Sequence, residues 1–216
     1  MTNKKEEVVN TDYKILYEGK SAEIIEKKSR FIAHLKPVEK EEDALTFIEE
    51  IKKKYWDARH NCYAYVIGEN NELQRFSDDG EPGGTAGKPM LEVLLGEEVH
   101  NVVVVVTRYF GGVLLGTGGL VRAYGRTTKA GLEASIIKRK LKGYSFTVET
   151  DYNGIGKIQY IMANMGINIH EEEYTDKVTI NITVKEQDYD SFVKQVTEAT
   201  AGKAVMGQPK DCWFLD

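Results

Sequence analysis

Apolar positions along the chain follow three rhythms, and each predicts a different kind of element. The most continuous is a run of five valines at 102–106. It is too short for a bilayer span of about twenty residues and too β-branched for a comfortable helix. Unbroken apolar character predicts a strand buried on both faces, in the middle of a sheet. A helical rhythm places Ala44, Leu45, Phe47, Ile48, Ile51 and Tyr55 on one side of residues 41–55, with acids early and Lys52, Lys53 and Lys54 late, as the helix dipole favours. A second helix is predicted from Leu120 to about Lys138. Arg122, Arg126, Lys129 and Glu133 form its polar stripe, with Leu120, Tyr124, Ala130, Ala134 and Ile137 opposite.

Extended rhythms at 22–25 and 30–37 predict a hairpin around Lys27, Lys28 and Ser29, and those at 61–67 and 73–76 predict two further strands. Residues 77–89 (SDDGEPGGTAGKP) are too rich in Gly and Pro for regular structure, and long loops of this kind are usually functional or mobile. Pro89 fits the first position of a short helix at 90–95, stopped by Gly96. After KRKLKG at 138–143, expected as a helix end or linker, the order is strand 144–150, helix 154–165, strand 168–174, strand 177–184, helix 188–199 and strand 204–214. That βαββαβ order is ferredoxin-like. The expected organisation is a flexible N-terminus at 1–14, a first domain at 15–142 and a second at 143–216.

Composition is that of an ordinary globular protein, 41% hydrophobic and 29% charged. The opening MTNKKEEVVNTDYK lacks an apolar core, so no secretory signal is expected, and no apolar run is long enough for a transmembrane helix. The two cysteines, Cys62 and Cys212, lie far apart without a CxxC or Cys/His cluster, so a reduced cytoplasm is expected and structural zinc is not. The net charge of −5 argues against a general nucleic-acid binder, but its distribution is uneven. Residues 107–143 carry +7, whereas 144–216 carry −6.

Candidate chemistry concentrates just past the valines, where Gly111, Gly112, Gly116, Gly118 and Gly119 fall between a strand and a helix. The loop lacks the Gly-Lys-Ser/Thr of a Walker A element, and Val121 stands where a Rossmann fingerprint needs glycine. Two readings stay open: an anion nest flanked by Arg108 and Arg122, or close packing of helix on strand. Cys62 reads as core rather than as a nucleophile paired with His60. Asp78, Asp79 and Glu81 could hold a hard cation, but Pro82 breaks the EF-hand order and acid-rich turns usually bond to their own backbone. The C-terminal segment shows no RNP-type aromatic motif, and its charge disfavours direct RNA contact.

Three stretches, 59–65 (RHNCYAY), 77–89 (SDDGEPGGTAGKP) and 107–124 (TRYFGGVLLGTGGLVRAY), appear in order, and through them the chain closely resembles the YigZ/IMPACT family. The resemblance covers about residues 15–138. It implies an α+β fold: a first domain of the ribosomal-protein type, also used by the last-but-one domain of elongation factor G and by small-molecule kinases, followed by a ferredoxin-like βαββαβ domain similar to that factor's last domain. The eukaryotic branch of the family suppresses a starvation-activated translation kinase through a ribosome-associated activator. It does so with a different partner-binding domain that this sequence does not show. The expectation is a cytoplasmic, translation-associated protein that binds RNA or a ribosomal partner through its first domain, without a catalytic residue, metal or cofactor. The alternative is an enzyme acting on a phosphorylated small molecule held at the glycine loop. Expected contacts are Arg59, His60, Arg108, Gly111, Gly112, Gly116, Gly118, Gly119, Arg122 and Arg126, with Ser77, Asp78, Asp79, Glu81, Thr85, Gly87 and Lys88 in the loop beside them.

Overall fold

The valine run is apolar throughout because its alternate residues face two different helical layers. The computed structural model describes residues 12–216, in which Tyr13–Arg139 form one compact unit and Lys140–Asp216, with Asp12, the other. The first unit contains β1 (Tyr13–Glu18), β2 (Ser21–Glu26), β3 (Ser29–Pro37), α1 (Glu41–Lys54), β4 (His60–Ile67), β5 (Leu73–Ser77), α2 (Gly87–Gly96), β6 (Val99–His100), β7 (Val102–Tyr109) and α3 (Thr117–Ala134). Five of its strands form an antiparallel sheet in the order β2-β3-β7-β4-β5, with β7 at the centre. Val102, Val104 and Val106 pack with Phe31, Cys62, Met90, Leu94, Leu120 and Tyr124 beneath α2 and α3. Val103 and Val105 pack with Ile48, Ile51 and Tyr65 beneath α1. Each fully buried valine contributes about 1.5–3 kcal/mol.

Strands β3 and β4 flank β7, both antiparallel to it, so α1 joins two strands that run parallel to each other. Outside that sheet, β1 pairs in parallel with β6, Lys14 opposite Val99 and Ile15 opposite His100. Tyr13 and Lys14, expected in the flexible N-terminus, are therefore in a strand, while residues 1–11 of that expectation lie outside the described residues.

A long strand, β8 (Ile136–Thr150), follows α3 and contains the whole KRKLKG segment. The expected linker is thus regular structure. The helix stops at Ala134, where Ser135 is extended and its hydroxyl donates back to the Gly131 carbonyl at 2.7 Å. Leu141 and Gly143 are buried in β8, and the terminal strand pairs Cys212 with Gly143 and Phe214 with Leu141. The long stems of the intervening lysines tolerate this half-buried alternation.

The second unit continues with α4 (Ile155–Met165), β9 (Ile169–Tyr174), β10 (Val178–Lys185), α5 (Tyr189–Ala199), β11 (Val205–Met206) and β12 (Lys210–Leu215). Strand β8 pairs with β10 on one side and with β11 and β12 on the other, and β9 borders β10, all antiparallel. This is the ferredoxin-like order. Val178, Ile180, Ile182 and Val184 alternate into a core with Ile158, Met162, Phe192 and Val196. The single final strand expected at 204–214 is split. Gly207 crosses so close to Thr147 that a Cβ there would lie 2.3 Å from its hydroxyl oxygen, and Pro209 offers no N–H to the ladder.

His34, on β3, is buried beside the Tyr55 ring at 4.7 Å, its Nδ1 3.1 Å from the Ser21 hydroxyl and its Nε2 without a partner among the described residues. Burial, reinforced by the positive charge of Lys54, lowers its pKa from about 6.5 to about 4. The unfolded chain therefore binds a proton that the folded chain refuses. The resulting stabilisation is complete above about pH 6.5 and is lost as the pH falls toward 4. Thermal melts from pH 7 to 4.5 should show His34→Gln losing stability less steeply than the parent. Equal slopes would assign the acid sensitivity elsewhere.

Candidate nucleic-acid interface

The register places four connections at one end of the five-stranded sheet. Arg30 faces Tyr109, His60 faces Arg108 and Tyr63 faces Ser77. The β2–β3 turn, the α1–β4 turn, the 78–86 loop and the 110–116 loop all leave from that end.

Asp78 organises the 78–86 loop. Its Oδ1 accepts the amides of Ala86 at 3.0 Å and Gly87 at 2.8 Å, and its Oδ2 accepts that of Gly84 at 2.7 Å. The amides of Ala86 and Gly87 are donors that the start of α2 leaves unsatisfied, Gly84 belongs to the loop before it, and a carboxylate there is also favoured by the helix dipole. This carboxylate explains why α2 begins at Gly87, earlier than Pro89 alone suggests. Gly87 has no room for a side chain, since a Cβ would lie 2.7 Å from the Ser77 carbonyl oxygen. Asp79 Oδ2 accepts the Asn61 amide at 2.7 Å, its Oδ1 lies 3.4 Å from Lys52 Nζ, and its carbonyl oxygen is 2.8 Å from His60 Nδ1. Ser77 Oγ accepts the Asp79 amide at 3.2 Å, and the Thr85 hydroxyl donates to the Pro82 carbonyl at 2.6 Å. Lys88 is exposed on the first turn of α2. Ser77, Asp78, Asp79, Thr85 and Gly87 therefore hold the loop's own shape, and the acids are engaged with protein donors. Among the described residues no cluster of three or more His, Cys, Asp or Glu is placed to hold a metal ion.

Behind the loop sits a buried polar cluster. Glu81 Oε1 accepts a guanidinium N–H of Arg108 at 2.6 Å and the hydroxyl of Tyr124 at 2.8 Å, with side-chain exposures of 3% for Glu81 and 8% for Arg108. Arg108 lies between the rings of Phe31 at 5.4 Å and Phe110 at 5.6 Å. The expectation that Arg108 offers its fork to a phosphate is thus corrected: its charge is spent on Glu81 inside the protein. Cys62 is buried, its sulfur 3.0 Å from the Asp78 carbonyl oxygen and 3.3 Å from the Tyr124 hydroxyl oxygen. Burial pushes both the Cys62 thiol and the Tyr124 hydroxyl well above their ordinary ranges, so neither is a ready nucleophile at neutral pH.

The cations that remain accessible lie on α3 and the β2–β3 turn. Gly111 leans on that turn: its amide donates to Ser29 Oγ at 3.2 Å, and a Cβ would come within 2.0 Å of the Lys28 carbonyl carbon. Gly116, at φ +73°, opens α3 without any side-chain cap. Gly119, Arg122 and Arg126 on α3, with Leu115, Lys27 and Glu26, line a cavity of about 150 Å³. Arg126 is paired with Glu26 at 3.3 Å, and Lys129, farther along the helix, with Glu97 at 2.9 Å. Arg122 forms no ion pair among the described residues. Gly112 and Gly118 have space around them, and Gly118 meets only Arg122 at 3.6 Å, so no packing contact demands glycine there. Arg59 is exposed and His60 half-buried after α1, and neither lines this cavity. Lys27 and Glu26 were not expected at the site. Their signal is weak, since Lys27 looks like an ordinary hairpin-turn lysine.

Residues 27–132 match the family model described as the Impact N-terminal domain, and 148–203 match a domain of unknown function, DUF1949. The chain is 45% identical over 193 residues to IMPACT family member YvyE of Bacillus subtilis, a match that covers 89% of this chain and 88% of that protein. It belongs to the IMPACT family. YigZ of Escherichia coli, another member, is 37% identical over 178 residues, covering 82% of this chain and 87% of YigZ. The IMPACT homolog of Dictyostelium discoideum shares 41% identity over 105 residues, covering 47% of this chain and 29% of its own. A crystal structure of a hypothetical protein aligns with a TM-score of 0.59 at 33% identity, covering 91% of this chain and 97% of that one. The α+β fold expected from the family resemblance is therefore the fold found. Among the described residues no helix is long and apolar enough to cross a membrane.

Proposed function

We propose that this IMPACT-family chain is a cytoplasmic, translation-associated regulatory protein that binds RNA, free or in the ribosome, through its first unit and without catalysis. The observation that carries this reading is the cavity where Arg122, Arg126 and Lys27 gather against one acid, Glu26, beside the first turn of α3. Arginine suits a phosphate through its planar fork, and an uncapped helix start adds roughly 0.3–1 kcal/mol for a nearby anion. A volume of about 150 Å³ accommodates one phosphate group. Small-molecule sites usually need about 300–1,000 Å³, so the size supports a phosphate of a polymer over a phosphorylated metabolite.

Replacing Arg122 with Glu should abolish co-sedimentation with ribosomes or RNA at low salt while leaving the melting temperature nearly unchanged. The parent's log affinity should fall with log salt by about 0.7 per neutralised phosphate on a single strand. Undiminished binding by Arg122→Glu would reduce the cavity to packing. A thermal shift with sugar phosphates or mononucleotides, and none with RNA, would favour the enzymatic alternative.

A further inference from the structure

The end of the sheet that bears the cationic cavity also leaves two aromatic rings in solvent. Trp56, in the α1–β4 turn, is 82% exposed, and Phe110, at the start of the glycine loop, is 50% exposed. They flank a single tether: Trp56 precedes Asp57, Phe110 follows Tyr109, and the Tyr109 hydroxyl donates to Asp57 Oδ1 at 2.8 Å. The two segments that carry the rings are thus linked by a side-chain hydrogen bond, and each ring keeps half or more of its residue's surface in solvent.

Their supports are themselves fixed. Tyr55, beside Trp56, is packed on His34 at 4.7 Å and carries Lys54 Nζ over its ring at 5.4 Å. Phe110 is backed by the Arg108 guanidinium at 5.6 Å, which is itself locked to Glu81. Positive charge accompanies the rings. Arg59 lies three residues beyond Trp56, exposed and without an ion pair among the described residues, and Arg30 sits over the Tyr109 ring at 5.8 Å. The acids at this end are engaged: Asp57 by Tyr109, Glu23 by Arg30 at 2.9 Å, Glu26 by Arg126, Asp79 by Lys52, Glu81 by Arg108, and Asp78 by the amides of Gly84, Ala86 and Gly87. Anchored rings interleaved with cations whose neighbouring acids are already engaged suit a chain of stackable, negatively charged units.

We propose that Trp56 and Phe110 form a stacking platform for unpaired nucleotides, so that the ligand of this surface is single-stranded RNA with its phosphates beside Arg59. The proposal rests on the RNA-binding reading above and narrows it. Every base has a π-face, so such a platform tolerates any sequence, but a duplex hides those faces between its pairs. Duplex RNA should therefore be a poor ligand.

The test uses the full chain carrying Trp213→Phe, so that Trp56 is the sole tryptophan, titrated with a twelve-nucleotide oligouridylate at low salt. Quenching of Trp56 emission is expected with the single strand and not with a duplex of equal length. In affinity measured by labelled-oligonucleotide anisotropy, Trp56→Ala should weaken binding roughly 5- to 150-fold, the range that loss of one stacked base implies. Trp56→Phe should recover most of it. Trp56 is so exposed that neither variant should alter the melting temperature. Three results would overturn the proposal. If the single strand binds with Trp56 emission unchanged and Trp56→Ala binds like the parent, stacking is wrong, while loss of binding in Arg122→Glu would leave the RNA reading standing. Equal quenching by duplex refutes the single-strand preference. Absence of any oligonucleotide binding removes both readings together.

Discussion

Glu81→Ala is expected to lower the melting temperature of the first unit by on the order of 10–20 °C, more than any other single change at this end of the sheet. The physical reason is the buried partner it would abandon. Without Glu81 the Arg108 guanidinium would face the rings of Phe31 and Phe110, which cannot neutralise it. Removing one member of a buried ion pair costs about 3–5 kcal/mol, because the other is left desolvated and alone. In a unit of this size, that energy converts to the stated shift. Tyr124 would also lose its acceptor at 2.8 Å and keep only the weak contact with the Cys62 sulfur at 3.3 Å, which adds to the loss. Replacing both charges, Glu81→Leu with Arg108→Met, should restore much of the stability, since a packed apolar pair of similar volume is often neutral or better. Circular dichroism melts of the two variants decide the point. If the double variant melts as low as Glu81→Ala, shape rather than charge pairing holds the cluster.

This same cluster marks where the sequence stopped being informative. Five valines, a dipole-matched helix and a βαββαβ order carry their own periodicity, so the central strand, α1 and the element order of the second unit are legible from spacing, whereas the early start of β8 and the split of the last strand are not. Arg108 was half legible. It shares parity with Val102, Val104 and Val106 and so must point under α2 and α3, yet nothing nearby in sequence says that an acid waits there. Glu81 is 27 residues away in an irregular loop, and only the folded loop aims it. The glycines show the same limit. Gly111 and Gly118 look alike in sequence, but one is pressed against Lys28 and the other has an ordinary contact with the end of the Arg122 side chain. Position 118 has room for a side chain, and Gly111 is the position where a side chain has none. KRKLKG was misread because its lysines suggest solvent, whereas the partner that makes it a strand, β12, lies some seventy residues on.

Asp78→Ala should unravel the start of α2 and loosen the loop that carries Glu81. One carboxylate there takes three amide protons, from Gly84, Ala86 and Gly87, all at 2.7–3.0 Å. A helix cap is typically worth about 0.5–2 kcal/mol, and a hydrogen bond to a charged group about 1.5–3 kcal/mol, with the three not additive because they share one ordering cost. A net loss of about 2–4 kcal/mol follows. Asp78→Asn separates the two oxygens' work. An amide oxygen at the Oδ1 position still accepts from Ala86 and Gly87, but the NH₂ at Oδ2 confronts the Gly84 amide donor with another donor. The isosteric variant should therefore lose roughly half as much stability, with its damage centred on residue 84. Hydrogen exchange resolves these outcomes by residue. Protection should vanish at Gly84, Ala86 and Gly87 in the alanine variant and chiefly at Gly84 in the asparagine variant. Uniform protection at all three amides in Asp78→Ala would mean that the close approach of Gly87 to Ser77, rather than the carboxylate, fixes where α2 begins.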